Sequence, residues 1–291
     1  MTPRSPLPAL ALLLVLAACA SGGAERSPAF ASNDITVTTR GAGPDVILIH
    51  GLGAHVGVWD RAAEALDDRY RLHLVQIHGF GGVSRTNSDS LVAAPVAREV
   101  TRYIREARLT RPAIVGHSLG GSIVIMAAAR NPGLAGRVMI VDAIPFSGVM
   151  FGQPDATVDA LRPIAAQLRA QILENDVLGP MIATMVRDEA DRQRLLQFAN
   201  ASDRRVVANA MHELIVTDLR PELPRLDVPV TILYAQPEDV PLSREQFDAS
   251  MRQLYSGTPR ATFIRVDESR HYIQLDQTDR FVEAVDAFMQ R

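Results

Sequence analysis

The chain has 291 residues, 47% hydrophobic and 22% charged, which suits one large globular domain or two small ones and excludes a disordered chain. Thirty basic residues against 33 acidic ones leave a formal charge of −3, so no global basic field gathers nucleic acid. Every basic residue is Arg, which excludes Schiff-base, pyridoxal-phosphate and P-loop lysine chemistry; the single cysteine, Cys19, excludes intrachain disulfides and a Cys-rich metal centre.

In chain order, Arg4 precedes an apolar stretch over 7–18 that is far too short to span a bilayer. Small residues follow it, so 1–18 read as a secretory signal peptide. Leu16-Ala17-Ala18-Cys19 resembles the bacterial lipobox, which implies cleavage before Cys19 and lipid on its sulfur and amino group. Residues 19–33, small and polar, are then a flexible tether. The expected location is a membrane-anchored lipoprotein of a bacterial envelope, with a soluble periplasmic or secreted protein as the alternative.

The body alternates two periodicities. Apolar runs at 45–50, 71–77, 113–116, 137–142, 228–234 and 261–266 read as buried strands. Helical spacing occupies 59–66, 92–107, 118–130, 244–254 and 281–289. Alternation of this kind predicts an α/β fold with a doubly wound, mostly parallel sheet. The pattern breaks over 147–225, which is helical without a convincing strand and too long for a plain loop. The expected organisation is a core of 34–146 and 226–291 interrupted by this insertion.

The chemistry falls at strand ends. Gly116-His117-Ser118-Leu119-Gly120 is a G-x-S-x-G pattern between a strand and a helix. Its glycines permit a tight turn that lifts the Ser118 hydroxyl to the top of the sheet, with helix N-terminal amides behind it. His50-Gly51-Leu52-Gly53 follows the first strand and can supply a second oxyanion donor, the Leu52 N–H beside the Leu119 N–H. A serine hydroxyl needs a base, and His271, after the last strand, is the candidate. His50 is read instead as shaping its loop by hydrogen bonding. His212-Glu213 lacks a second histidine at metal-site spacing, and Gly79-Phe80-Gly81-Gly82 is not a nucleotide fingerprint.

Strand-His50-Gly51-Leu52-Gly53, then His78-Gly79-Phe80-Gly81, then the Ser118 elbow, a helical insertion and a late histidine together resemble the α/β-hydrolase superfamily, over about 34–291. The resemblance implies a Ser–acid–His triad, a backbone oxyanion hole, no cofactor and no metal, and makes 147–225 a lid. It places the acid after the penultimate strand, where Asp239 is expected and Glu238 is an alternative, or after the middle strand, at Asp142. Gly51, His117, Phe146, Met150, Met181 and Met185 are expected around a partly apolar, small to medium substrate. The implied activity is a carboxylesterase-like serine hydrolase, with lactonase, amidase, C–C hydrolase and haloperoxidase chemistry open on the same constellation. The alternative is a binding protein on the hydrolase fold. Oligomeric state is not legible.

Overall fold

A computed structural model describes residues 30–153, 155–175, 178–236 and 240–290. The signal peptide, the Cys19 lipobox and most of the tether lie outside the described residues, as do Glu238 and Asp239.

Seven strands form one sheet in the order β1-β3-β2-β4-β5-β6-β7. Six are parallel: β2 (Asp45–Ile49), β3 (Arg71–Ile77), β4 (Ala113–His117), β5 (Arg137–Val141), β6 (Val230–Tyr234) and β7 (Ala261–Arg265). The strand absent from the sequence reading is β1 (Ile35–Arg40), which pairs antiparallel with β3 at the sheet edge. It is half exposed, so its apolar signal is confined to Ile35 and Val37 among threonines. The body also begins earlier than expected. The Phe30 ring packs edge-on to Tyr103 at 5.1 Å, and Ser32 Oγ accepts from the Asp34 N–H at 3.1 Å.

Helices cover both faces. In β2, Val46 and Leu48 point into one layer and Ile47 and Ile49 into the other, all fully buried. The first layer is closed by α1 (Asp60–Leu66) and the C-terminal α10 (Thr278–Met289) through Leu66, Phe281 and Phe288. The second is closed by α2 (Ala93–Glu106) and α3 (Leu119–Ala129), through Val96, Val100, Ile123 and Val124. Each such side chain contributes roughly 1.5–3 kcal/mol on burial. Between β5 and β6 stand α4 (Val158–Glu174), α5 (Leu178–Met185), α6 (Glu189–Ala201) and α7 (Arg204–Val216). After β6 comes α8 (Arg244–Leu254), and α9 (Ile273–Asp276) follows β7. Because β2 and β4–β7 are parallel, the segments that follow each of them emerge at one edge of the sheet. The 50–53 loop, Ser118, Asp142 and His271 meet there.

Candidate active site

The turn after β4 places Ser118. Its backbone is left-handed, φ 55° and ψ −120°, a strained conformation for a residue with a side chain. Bonds on both sides hold it: the Ser118 N–H donates to the Val141 carbonyl at 3.0 Å, and the Ser118 carbonyl accepts from the Gly121 N–H at 2.8 Å. Only glycine fits the flanks. A Cβ on Gly116 would stand 2.2 Å from the Gly120 carbonyl oxygen, and one on Gly120 would stand 2.3 Å from that of Ile49.

The 50–53 loop lies against Ser118, since a Cβ on Gly51 would come within 2.9 Å of Ser118 Cβ. His50 sets this loop, as its position suggested. Its Nδ1–H donates to the Gly51 carbonyl at 2.9 Å, and its Nε2 accepts from the Ile77 N–H at 3.0 Å. Both nitrogens are thereby used by a neutral ring, and burial pushes its pKa down to about 4. Fixing the Gly51 carbonyl also fixes the Leu52 N–H of the same planar peptide, which points the opposite way. Leu119 is the first residue of α3, so its N–H belongs to the helix's unpaired N-terminal set.

His271 is partly buried, and its Nδ1 stands 2.7 Å from Asp142 Oδ2. The carboxylate can only accept, so Nδ1 carries the proton and Nε2 is free to act as a base. Asp142, at φ 44°, is held on all sides. Its N–H donates to the Leu233 carbonyl at 2.8 Å, and its Oδ1 accepts from the Ala235 N–H at 3.0 Å. Tyr255, fully buried, donates to the Ala143 carbonyl at 2.8 Å; burial first, then the Asp142 charge, push its phenol well up. The carboxylate on His271 is thus the one after the middle strand. The expectation of Asp239, with Glu238 beside it, falls outside the described residues.

His117 was expected at the substrate but lies wholly buried, between the rings of Trp59, Tyr272 and His271. Its Nε2–H donates to the His271 carbonyl at 2.9 Å, and burial holds its pKa well below the usual histidine range. It holds the His271 backbone in place from within the core. Phe146 is likewise 2% exposed, under the Arg220 guanidinium at 4.4 Å, and Met150 is 66% exposed to solvent. Helix α5 is better placed: Leu178 stands near Gly53, and the Met185 carbonyl accepts from the Tyr272 N–H at 3.1 Å. Met181 and Met185 are half-buried on that helix.

A residue missed in the sequence is Asp276, whose two oxygens bridge the insertion to the histidine loop. Oδ1 accepts from the Arg187 N–H at 2.8 Å and Oδ2 from the Arg270 N–H at 2.7 Å. Burial pushes its pKa up even though both bonds pull it down. A single aspartate at the end of a four-residue helix carries no pattern that sequence alone could single out.

Residues 46–284 match the alpha/beta hydrolase family, and the chain belongs to that family. Among curated relatives, it is 27% identical over 264 residues to a pimeloyl-[acyl-carrier protein] methyl ester esterase of Nitrosomonas europaea, covering 87% of this chain and 98% of that one. A protein of the same description from Vibrio vulnificus is 24% identical over 252 residues, covering 82% of this chain and 95% of that one. Among solved structures, the fold superposes on a hydrolase from Pseudomonas aeruginosa with a TM-score of 0.74 at 18% identity, over 88% of this chain and 94% of that one. It superposes on the enol-lactonase from Burkholderia xenovorans with a TM-score of 0.71 at 17% identity, over 88% and 96%.

Proposed function

We propose that this protein is a serine hydrolase of carboxylic esters. Ser118 Oγ attacks the ester carbonyl and passes its proton to His271 Nε2. Asp142 stabilises the imidazolium, and the Leu52 and Leu119 N–H groups hold the tetrahedral oxyanion. Collapse breaks the C–O bond, and the leaving alkoxide takes the proton back from His271. Water then attacks the acyl-enzyme by the same route and releases the acid and free Ser118. None of these steps calls on a cofactor. The observation that carries the reading is the 2.7 Å pairing of His271 Nδ1 with Asp142 at the strand edge that presents the Ser118 elbow. The curated relatives named as methyl ester esterases support an ester over other acyl bonds.

In this reading, α5 is the wall of a lid, and Met181 and Met185 face a small to medium, partly apolar acyl chain, a task suited to soft, adaptable side chains. The lipobox-like sequence around Cys19 supports export and attachment to a bacterial envelope membrane by lipid.

The test is labelling with a fluorophosphonate together with hydrolysis of a short p-nitrophenyl ester. Ser118→Ala abolishes labelling and lowers turnover by roughly 10⁴–10⁶ while the fold remains. Turnover within tenfold of the parent sinks the assignment, and folded parent protein that resists labelling favours a binding protein instead.

A further inference from the structure

We propose that the end of the sheet remote from Ser118 is a membrane-facing floor, where an arginine-lined groove rests on anionic phospholipid headgroups. The groove, of about 690 Å³, runs between the end of α2 and the turn after α3. Its lining holds Arg105, Arg108, Arg111 and Arg130 and no carboxylate, on a chain whose formal charge is −3. Arg130 is neutralised by Glu222, and Arg105 hydrogen-bonds only a neutral group there, Asn131 Oδ1 at 3.0 Å. Arg108 and Arg111 are exposed, and among the described residues no ion pair joins either to a carboxylate.

Their backbone adds a second observation. Arg108 follows the C-cap of α2 with φ 54°, and the Leu109 N–H closes back on the Ile104 carbonyl at 2.9 Å, a helix ending that favours glycine at the left-handed position. Arg111 is also left-handed, at φ 48°. Two arginines thus stand at positions where glycine is the easier residue.

Position decides the partner. Arg111 precedes β4, and Ser118 follows it, which separates groove and nucleophile by roughly 20 Å along the strand. A substrate undergoing reaction cannot occupy both. The described chain starts on the same helix as the groove. The Arg102 guanidinium lies 4.2 Å above the Phe30 ring and donates to the Ala31 carbonyl at 2.6 Å. From Cys19 to Phe30, eleven peptide steps reach at most about 40 Å. A lipid on Cys19 brings the domain within about 40 Å of the bilayer, and the charge of the groove, not the tether, then turns this end to the headgroups and Ser118 away from them. The inference rests on the anchoring reading for its biological setting, but the groove's affinity is measurable without it.

The experiment uses residues 19–291 with Cys19→Ser, which keeps every described residue and removes the lipid site. Co-sedimentation is measured with phosphatidylcholine vesicles and with vesicles carrying roughly a third phosphatidylglycerol, at low and high salt. Binding is expected to the anionic vesicles alone and to vanish at high salt. The double variant Arg108→Gly, Arg111→Gly loses roughly 25-fold in partitioning, about fivefold per arginine. It keeps its ester hydrolysis, and its melting temperature is unchanged or raised, because glycine relaxes both left-handed positions. Equal binding to both vesicle types, no binding to either, or parent-like binding by the double variant overturns the proposal. Anchoring is read separately, as incorporation of labelled palmitate into the full chain and its loss in Cys19→Ser. A failure there leaves the vesicle result standing.

Discussion

At the scale of single residues, the carboxylate that pairs with His271 decides how the candidate site is assembled. Asp142 meets His271 Nδ1, while its second oxygen is held by the Ala235 N–H. That second bond fixes the carboxylate plane and so the imidazole's tautomer. Asp142→Asn removes the charge and can present an N–H to Nδ1, which favours the wrong tautomer. It is expected to lower kcat by roughly 10²–10⁴ with a smaller change in KM, because the interaction strengthens in the transition state. Asp239→Asn and Glu238→Gln are expected to keep kcat within about threefold, far short of a triad acid's loss. Steady-state kinetics on the three variants, with thermal unfolding in parallel, separate the cases; a large kinetic loss at Asp239 with Asp142→Asn near the parent would reverse the assignment.

At the scale of elements, the insertion and the histidine loop are fastened together at one point. Asp276, at the end of α9, accepts from Arg187 beyond α5 and from Arg270 beside His271, and Tyr272 donates to Met185. An asparagine there offers one acceptor to two donors, so one N–H faces an N–H₂ group. A hydrogen bond to a charged group is worth about 1.5–3 kcal/mol, and the loss of one is expected to lower kcat roughly tenfold through displacement of His271. Fluorophosphonate labelling of Asp276→Asn then slows in step with kcat while KM stays near the parent. Labelling at the parent rate with a raised KM would show that Asp276 shapes only the substrate wall.

The same scale explains what was legible in the sequence. The Ser118 elbow was plain because steric limits at Gly116 and Gly120 leave almost no other residue possible, and a buried parallel strand reads as a continuous apolar run. The acid was not, because β5 and β6 are neighbours in the sheet. The segments after each therefore emerge side by side, and spacing along the chain cannot choose between them. The burial of Phe146 and the exposure of Met150 were not legible because apolar character near the insertion does not say which way side chains around a short 3-10 turn (Ser147–Phe151) point. Edge strand β1 escaped notice because only one of its faces is buried.

At the scale of the whole molecule, insertion and core share one interior. Glu213, buried on α7, accepts from the Val92, Ala93 and Ala94 N–H groups at 2.6, 2.8 and 2.9 Å, so the insertion caps helix α2 of the core. Arg61 with Asp191 and Arg194 with Asp60 add ion pairs across the same boundary. Parts so joined are expected to unfold together, and the buried histidines then make that single transition acid-sensitive. His50 is fully buried, with its pKa lowered from 6.5 to about 4 by desolvation, and desolvation also lowers that of His117. Between pH 4 and 6.5 the unfolded chain holds a proton that folded His50 does not, so stability rises with pH across that window and is lost as pH falls through it. For His50 alone the full span amounts to about 3 kcal/mol, and His117 adds in the same direction. Urea unfolding at a series of pH values is expected to show this slope, shallower by about one proton in His50→Gln. A parent whose stability stays flat from pH 7 down to pH 4.5 would mean that these rings are not held neutral in the fold.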